Sequence, residues 1–242
     1  MLGVSLLSRV VPRMVWKHRI KTWQIDTGEA EEHILPSLCS RDKMSIDVGA
    51  ADGTYCVRLL LYSSRVVAFE PNPKAAEGLR TQFKDTPIVS IENYALSDSD
   101  GSVEMRVPED RPMWGTIEST NLLTEATRLT SFSVQKKRLD DYSFQGVGFI
   151  KIDVEGHEIS VLNGARKTIE RERPKLLIEI DQSHLPEVCR LFSELNYSAF
   201  FLLDGEQVPV EQFDASIHQI PANLVRGRRV GCYINNFVFL PQ

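Results

Sequence analysis

From residue 44 onward the chain repeats short apolar runs, most of them followed by a helical pattern. The runs are Met44–Val48, Arg65–Glu70, Ile88–Ile91, Val147–Asp153 and Lys175–Ile180. Their apolar residues stand at successive positions, which suits strands covered on both faces. Helical spacing fits the stretches around 53–63, 73–84, 157–172 and 184–195. Strand and helix in alternation predict a doubly wound, mostly parallel α/β sheet.

Residues 97–143 break the alternation. SDSDG at 97–101 is a turn signal, and SVEMRV after it looks extended, as does 131–139. Between them, 109–130 is a long polar loop containing Trp114; loops of that length are usually functional or disordered. Residues 199–204 and 232–240 predict two more strands, separated by an excursion with Pro209, Pro221 and a basic RGRR at 226–229. No motif explains 106–135 or 205–231, which makes them the expected acceptor pocket.

A chain of 242 residues fits one α/β domain with elaborations. The division expected is an N-terminal arm, 1–30, and a single domain, 31–242. Charge sharpens that division. The net charge is −5, yet the first 25 residues hold Arg9, Arg13, Lys17, Arg19 and Lys21 and no acid. Val4, Leu7, Val11, Met14 and Val15 fall on the opposite side of a helical wheel from Arg9, Arg13 and Lys17. Pro12 interrupts such a basic amphipathic helix, so the arm is expected either to pack on the body as one or two helices or to make weak contact of residues 1–24 with an anionic membrane surface. The expected location is cytoplasmic, peripheral at the inner membrane face. The acidic remainder argues against a nucleic-acid partner. Cys39, Cys56, Cys189 and Cys232 form no CxxC pair and read as reduced, buried thiols. The sequence leaves the oligomeric state open.

Asp47-Val-Gly49-Ala50-Ala-Asp52-Gly53 follows the first strand and opens a helix. Its GxxxG spacing differs from the GxGxxG of dinucleotide sites and from the phosphate loop, and it carries no Lys. Two carboxylates, Asp47 and Asp52, suit a ligand with an amino group and a sulfonium, such as S-adenosylmethionine. Glu70 closes the second strand, where an acid can accept both ribose hydroxyls. Asn72 and Asn93 lie at the same edge, within reach of an adenine or in turn and capping roles. The fourth strand ends in Lys151-Ile-Asp153-Val-Glu155-Gly156-His157-Glu158. Open α/β sheets bind ligands beyond the carboxyl ends of their strands, so Asp153, Glu155 and His157 should face the glycine loop. An aliphatic hydroxyl needs a base or a metal to lose its proton, and His157, Glu155 and Asp153 are the candidate bases. Asp153 with Glu179 could hold a divalent cation such as Mg. Glu158 fits a helix-dipole role.

IDVGAADG (46–53), AFEPNP (68–73), NYALSDSDGSVEM (93–105), RLDDY (138–142), FIKIDVEGHE (149–158) and VLNGA (161–165) together resemble the FkbM family of methyltransferases. The resemblance runs from about residue 31 to 181. It implies a Rossmann-like fold, S-adenosylmethionine as donor, and O-methylation of sugar hydroxyls in glycans, glycolipids or glycosylated natural products. By position, Asp47, Gly49, Ala50, Gly53 and Glu70 would hold the cofactor. Asp153, Glu155, His157 and Glu158 would face the reaction centre, and Asp140 would cap a turn. The family commonly shows Asn where this loop has Ala51-Asp52-Gly53. A non-catalytic S-adenosylmethionine-binding assembly or regulatory protein is the alternative; the spacing disfavours a nicotinamide enzyme.

Overall fold

The computed structural model describes residues 30–110, 115–119, 121, 128–225 and 228–242. The expected basic arm, up to residue 29, and Trp114 lie outside the described residues.

The strands in chain order are β1 (Met44–Val48), β2 (Arg65–Phe69), β3 (Val89–Glu92), β4 (Ala95–Leu96), β5 (Gly101–Pro108), β6 (Leu129–Lys137), β7 (Val147–Ile152), β8 (Lys175–Glu179), β9 (Tyr197–Leu203), β10 (Glu206–Pro209), β11 (Leu224–Val225), β12 (Arg228–Arg229) and β13 (Asn236–Pro241). Eight of them make one sheet in the order β10-β9-β13-β8-β7-β1-β2-β3. β3, β2, β1, β7 and β8 run parallel to one another; β13 runs antiparallel to both β8 and β9. The expected doubly wound sheet is therefore present.

Helices α1 (Leu35–Leu38), α2 (Thr54–Leu59), α3 (Pro73–Phe83), α4 (Glu158–Gly164), α5 (Arg166–Glu172), α6 (Leu185–Glu194) and α7 (Ala215–His218) complete the fold. Successive strand residues point to opposite faces, so each strand serves two cores. Ile46, Val48, Phe69, Ile150 and Ile178 pack with Val161, Leu162, Ile169, Val188 and Phe192 of α4–α6. Ala68, Phe149, Leu177 and Val238 pack on the other face with Leu35, Val57, Leu59 and Leu79 of α1–α3. The five parallel strands thus end at one edge, and the loops after β1, β2 and β7 meet there. β3, last in the sheet, is only half-buried along its length, against the expectation of strands covered on both faces.

The excursion after β4 forms its own three-stranded sheet, β4-β6-β5. Ser97 at its start is buried, and its carbonyl lies against Gly164: a Cβ there would stand 1.9 Å from Ser97 O. The expected helix 157–172 is two helices. The chain breaks at Ala165, and Asp140 supplies a cap from outside, accepting from Lys167 N, Thr168 N and Thr168 Oγ1 at 3.1, 2.8 and 2.8 Å. Asp140 was expected to cap a turn; it caps α5.

The expected strand at 232–240 starts later, at Asn236. Before it, the amide of the buried Gln219 donates to Ile180 O and Ile234 O, each at 3.0 Å, and ties the excursion to the end of β8. The thiols depart from expectation. All four are free, but only Cys56 is buried, and Cys232 is exposed on this excursion.

Two glycines should respond oppositely to alanine. Gly164→Ala meets backbone, which cannot yield as a side chain can, and should cost about 1–3 kcal/mol. Gly78, inside α3, has open space around its Cβ position, so Gly78→Ala should gain about 0.5–1 kcal/mol from helix propensity. Urea unfolding of both variants beside the parent checks the pair.

Candidate active site

The glycine loop turns back on its own sheet. Gly49 N and Ala50 N both donate to Phe69 O, at 2.9 and 3.1 Å, and Gly53 N donates to Ala50 O at 2.7 Å. Gly49 has φ +82°, and a Cβ on it would lie 1.8 Å from Asp153 O. Only glycine lets the loops after β1 and β7 approach this closely. Asp52 is exposed and accepts from Thr54 N at 3.0 Å, an Asx turn opening α2.

Glu70 is almost fully buried and binds the loop together. Oε2 accepts from Ala51 N and Oε1 from Asn72 N, both at 2.8 Å. The first of these bonds holds Ala51 in the left-handed region, φ +48°, a conformation that normally costs a non-glycine residue about 1–2 kcal/mol. Burial pushes the Glu70 carboxyl up from 4.5 to about 7, against the two N–H donors that favour its charged form. Asn72 caps α3 by accepting from Lys74 N at 3.0 Å. Asn93 donates from Nδ2 to Glu70 O and Pro71 O at 2.8 and 3.0 Å. Both asparagines therefore shape the loop after β2.

Asp47 and Lys151 are cross-strand neighbours on β1 and β7. Lys151 is buried; its Nζ lies 2.8 Å from Asp153 Oδ2 and 4.4 Å from the centre of the Tyr55 ring. Burial alone would push the Lys151 ammonium down, but Asp153 and then Asp47 more than offset it and raise it, so it stays charged. Asp47 is buried too. Burial pushes its carboxyl up, Lys151 opposes, and Cys56 Sγ donates to Oδ2 at 3.1 Å. Asp47 thus lies inside the sheet under the loop.

The divalent cation expected between Asp153 and Glu179 is corrected here. Lys151 already neutralises Asp153 and adds to the charge near Glu179, which accepts from Asn235 Nδ2 at 2.5 Å. Among the described residues no group of three or more His, Cys, Asp or Glu is placed to hold a metal. The donor set does not fit a divalent ion.

After β7 the chain takes two left-handed residues in succession, Glu155 at φ +53° and Gly156 at φ +102°. Thr116 Oγ1 and Asn121 Nδ2 both donate to Glu155 O at 2.9 Å. Gly156 N donates to Glu158 Oε1 at 2.9 Å, and Glu158 is buried at the start of α4 with His184 Nδ1 3.4 Å from its other oxygen. Burial pushes the Glu158 carboxyl up. His157 is held on both sides: Nε2 lies 3.0 Å from Ser97 Oγ, and Nδ1 lies 3.2 Å from Glu118 Oε2.

These loops enclose a cleft whose wall includes Gly49, Phe69, Pro71, Tyr94, Leu96, Ile117, Val154 and His157. Its wall is largely apolar, and Glu70 and Asp153 stand beside it. A nucleoside carrying a cationic sulfonium and ammonium calls for apolar contacts at its base and carboxylates at its polar end, and this edge carries both kinds of group. Of the expected residues, Gly49, Ala50, Glu70, Asp153, Glu155 and His157 come together at this edge. Asp47 lies beneath it, Asp52 faces solvent, and Glu179 is bound to Asn235. Reading the sequence missed Lys151, Ser97 and Glu118. A lysine inside the apolar run VGFIKI was a signal for the first; the polar loop around Glu118 offered none.

Lys151→Met should be strongly destabilising, about 3–5 kcal/mol at neutral pH, because Asp47 and Asp153 lose their counter-charge. With the cation gone, the folded state holds protons on these acids that the unfolded chain releases. The loss should therefore shrink as pH falls from 7 toward 4. Denaturant titrations of both proteins across that range test it; a pH-independent difference would contradict the assignment.

Residues 47–200 match the Methyltransferase FkbM domain. The 2-O-methyltransferase NoeI of Sinorhizobium fredii is 26% identical over 161 residues, covering 60% of this chain and 66% of that protein. The hexuronic acid methyltransferase AglP of Haloferax volcanii is 26% identical over 182 residues, 73% of each chain. The crystal structure of the methyltransferase FkbM from Methylobacillus flagellatus superposes with a TM-score of 0.53 at 20% identity, over 88% of this chain and 51% of that one. The chain thus spans about half the length of that structure, whose likeness bears on the fold alone. The fold is the Rossmann-like one expected, the domain match takes in well over half of the chain, and the protein belongs to the FkbM family of S-adenosylmethionine-dependent methyltransferases.

Proposed function

We propose that this protein transfers a methyl group from S-adenosylmethionine to a sugar hydroxyl of a glycan, glycolipid or glycosylated natural product. The observation that carries the reading is the cleft at the carboxyl ends of β1, β2 and β7, with carboxylates beside its apolar wall and His157 on its rim. The two curated relatives support the sugar: one is a 2-O-methyltransferase by name, the other a hexuronic acid methyltransferase. The donor supplies an electrophilic methyl on a positively charged sulfur. In this reading the glycine loop cradles it, Glu70 accepts its ribose hydroxyls, and Asp153 faces its cationic end. The acceptor lies against the loop of Glu155, Gly156 and His157.

Much of the rate of such a transfer comes from holding oxygen, methyl and sulfur in line, which a rigid sheet edge favours. Carboxylates near the donor stabilise the sulfonium before transfer and lose that attraction once the sulfur is neutral, which favours product release.

Incubating the protein with methyl-labelled S-adenosylmethionine and fractionated cell glycans and lipids should place label in a carbohydrate fraction as a methyl ether. Label confined to protein or nucleic acid, or found nowhere, would sink the reading.

Glu70 gives a second test. Its folded value of about 7 exceeds the ordinary 4.5, so between these the folded state binds the extra proton. Its contribution to stability therefore falls as pH rises through that window. Relative to Glu70→Gln, the parent should lose thermal stability from pH 5 to 8. Binding of S-adenosylhomocysteine should tighten over the same range in the parent alone, as the ribose acceptor ionises. Calorimetry at four pH values distinguishes this from parallel curves, which would contradict it.

A further inference from the structure

The chain divides by charge in a way that its net value hides. All 33 of its Asp and Glu residues lie before residue 215, while residues 215–242 hold Arg226, Arg228 and Arg229 and no acid. Part of this acid-free stretch leaves the main sheet between β10 and β13. There β11 and β12 pair antiparallel, Leu224 opposite Arg229 and Val225 opposite Arg228. The projection reaches into solvent: Val230, beside Arg229, is 65% exposed, and Ile217 is 56% exposed.

Its root is fixed at the carboxyl edge of the sheet. Besides its two bonds to Ile180 O and Ile234 O, the Gln219 side chain accepts from Gln182 N at 2.7 Å, and Ile180 N donates to Asn235 O at 2.6 Å. Ile234 N donates to His218 O at 2.6 Å, Val230 N to Asn223 O at 2.8 Å, and Asn223 Nδ2 to Cys232 O at 3.0 Å. The loop that carries this root, 180–184, also touches the site. His184 Nδ1 lies 3.4 Å from Glu158 Oε2, and Glu158 follows His157 of the cleft wall. The projection is therefore rooted beside the loop after β7, on the side away from β2.

We infer that this projection is an anion-binding surface for the acceptor, with Arg228 and Arg229 as its specificity-determining residues, and that the acceptor is a carboxylated or phosphorylated glycan. The inference rests on the methyltransferase reading above. The acids around the cleft repel an anionic group, and the acid-free projection beside them attracts it. Charge thus fixes one end of the acceptor while a neighbouring hydroxyl meets the loop after β7. Arginine suits this role because its planar fork matches both carboxylate and phosphate. A bilayer fits the stretch less well. Segments that bind anionic lipid carry roughly 4–8 Lys or Arg, and interfacial ones add Trp or Phe. Residues 215–235 hold three Arg and no Lys, Trp or Phe.

The test is titration calorimetry on the full chain saturated with S-adenosylhomocysteine. Its probes are three oligosaccharides alike except at the terminal sugar: a glucuronide, a glucose 6-phosphate and a neutral glucose. The parent should bind one or both anionic probes about tenfold or more tightly than the neutral one, and less tightly as salt is raised. Arg228→Gln/Arg229→Gln should weaken the preferred anionic probe by about 10–100-fold, the range of lost hydrogen bonds to charged groups, and leave the neutral probe and S-adenosylhomocysteine within about twofold, which also shows that the variant folds. Arg228→Lys/Arg229→Lys, which keeps the charge, should retain the anionic preference. A parent indifferent to the probes' charge, or a Gln pair that weakens all three probes equally or none, would overturn the assignment. So would phosphatidylglycerol vesicles that bind the parent through these arginines while the anionic probes ignore the Gln pair; the surface would then be a membrane contact.

Binding needs no methyl transfer, which separates this inference from the reading it rests on. If the parent binds an anionic probe through Arg228 and Arg229 yet methylates no carbohydrate, the functional reading falls and the surface stands as an anionic-glycan site. If methyl reaches a neutral glycan at equal rate in parent and Gln pair, with no preference for the anionic probes, the surface falls and the functional reading stands. Where an anionic probe is methylated, the loss in the Gln pair should appear in its KM, with kcat within about threefold, because the arginines bind the acceptor away from the reacting atoms.

Discussion

One buried ammonium sets the terms for the rest of this site. Lys151 sits on β7 beside Asp47 on β1, and its Nζ meets Asp153 where the strand ends. A charge in that position is tolerable only with its partners in place. The need to compensate it ties three things together: the register of the two central strands, the direction of Asp153, and the approach of the loop after β7 to Gly49. Gly49 completes the fit, since its missing side chain lets Asp153 O close on the glycine loop. The same ammonium excludes the divalent cation that the carboxylates alone suggested. It supplies the positive charge from within the chain.

The second half of the site is organised by backbone groups held in costly conformations. Ala51 and Glu155 are both left-handed without being glycine. Each is held by bonds from a distant segment: Ala51 N by the Glu70 carboxylate, Glu155 O by Thr116 and Asn121. Strain of this kind persists only where its surroundings over-determine it, and it collects at functional sites. The β5–β6 excursion is thereby coupled to the sheet edge. It brings Glu118 to His157 and sets Ser97 on the other side of the same ring.

The fold was legible because its signal is repetitive. Five apolar runs with helices between them specify a doubly wound sheet whatever the loops do, and the acids at their ends mark the functional edge. What failed was anything fixed by contact between distant segments. The run 157–172 reads as one helix until Asp140, from a distant turn, is seen to cap Thr168 N. Asp47 and Asp52 look alike in the motif, yet the pleat buries the first under the loop and the turn exposes the second. The two partners of His157 come from 60 residues and 39 residues away, and no local pattern announces either. Glu118 stands in a stretch without periodicity, where only the folded chain shows which polar residue turns inward.

The placement of charge also narrows how the site can be selective. Around the cleft the described acids are Glu70, Glu118, Asp153 and Glu155, while of the described cations near it Lys151 is matched by Asp153 and Lys137 lies on the ring of Tyr94, 4.0 Å from its centre. An added anion at this edge would meet like charges at short range, where low dielectric magnifies them. A cationic donor is attracted, and a neutral sugar ring is unopposed. In the proposed reaction, a carboxylated acceptor would have to keep its charge away from the loop after β7. Under the proposed function, the acidity that suits the donor would then filter the orientation of the acceptor.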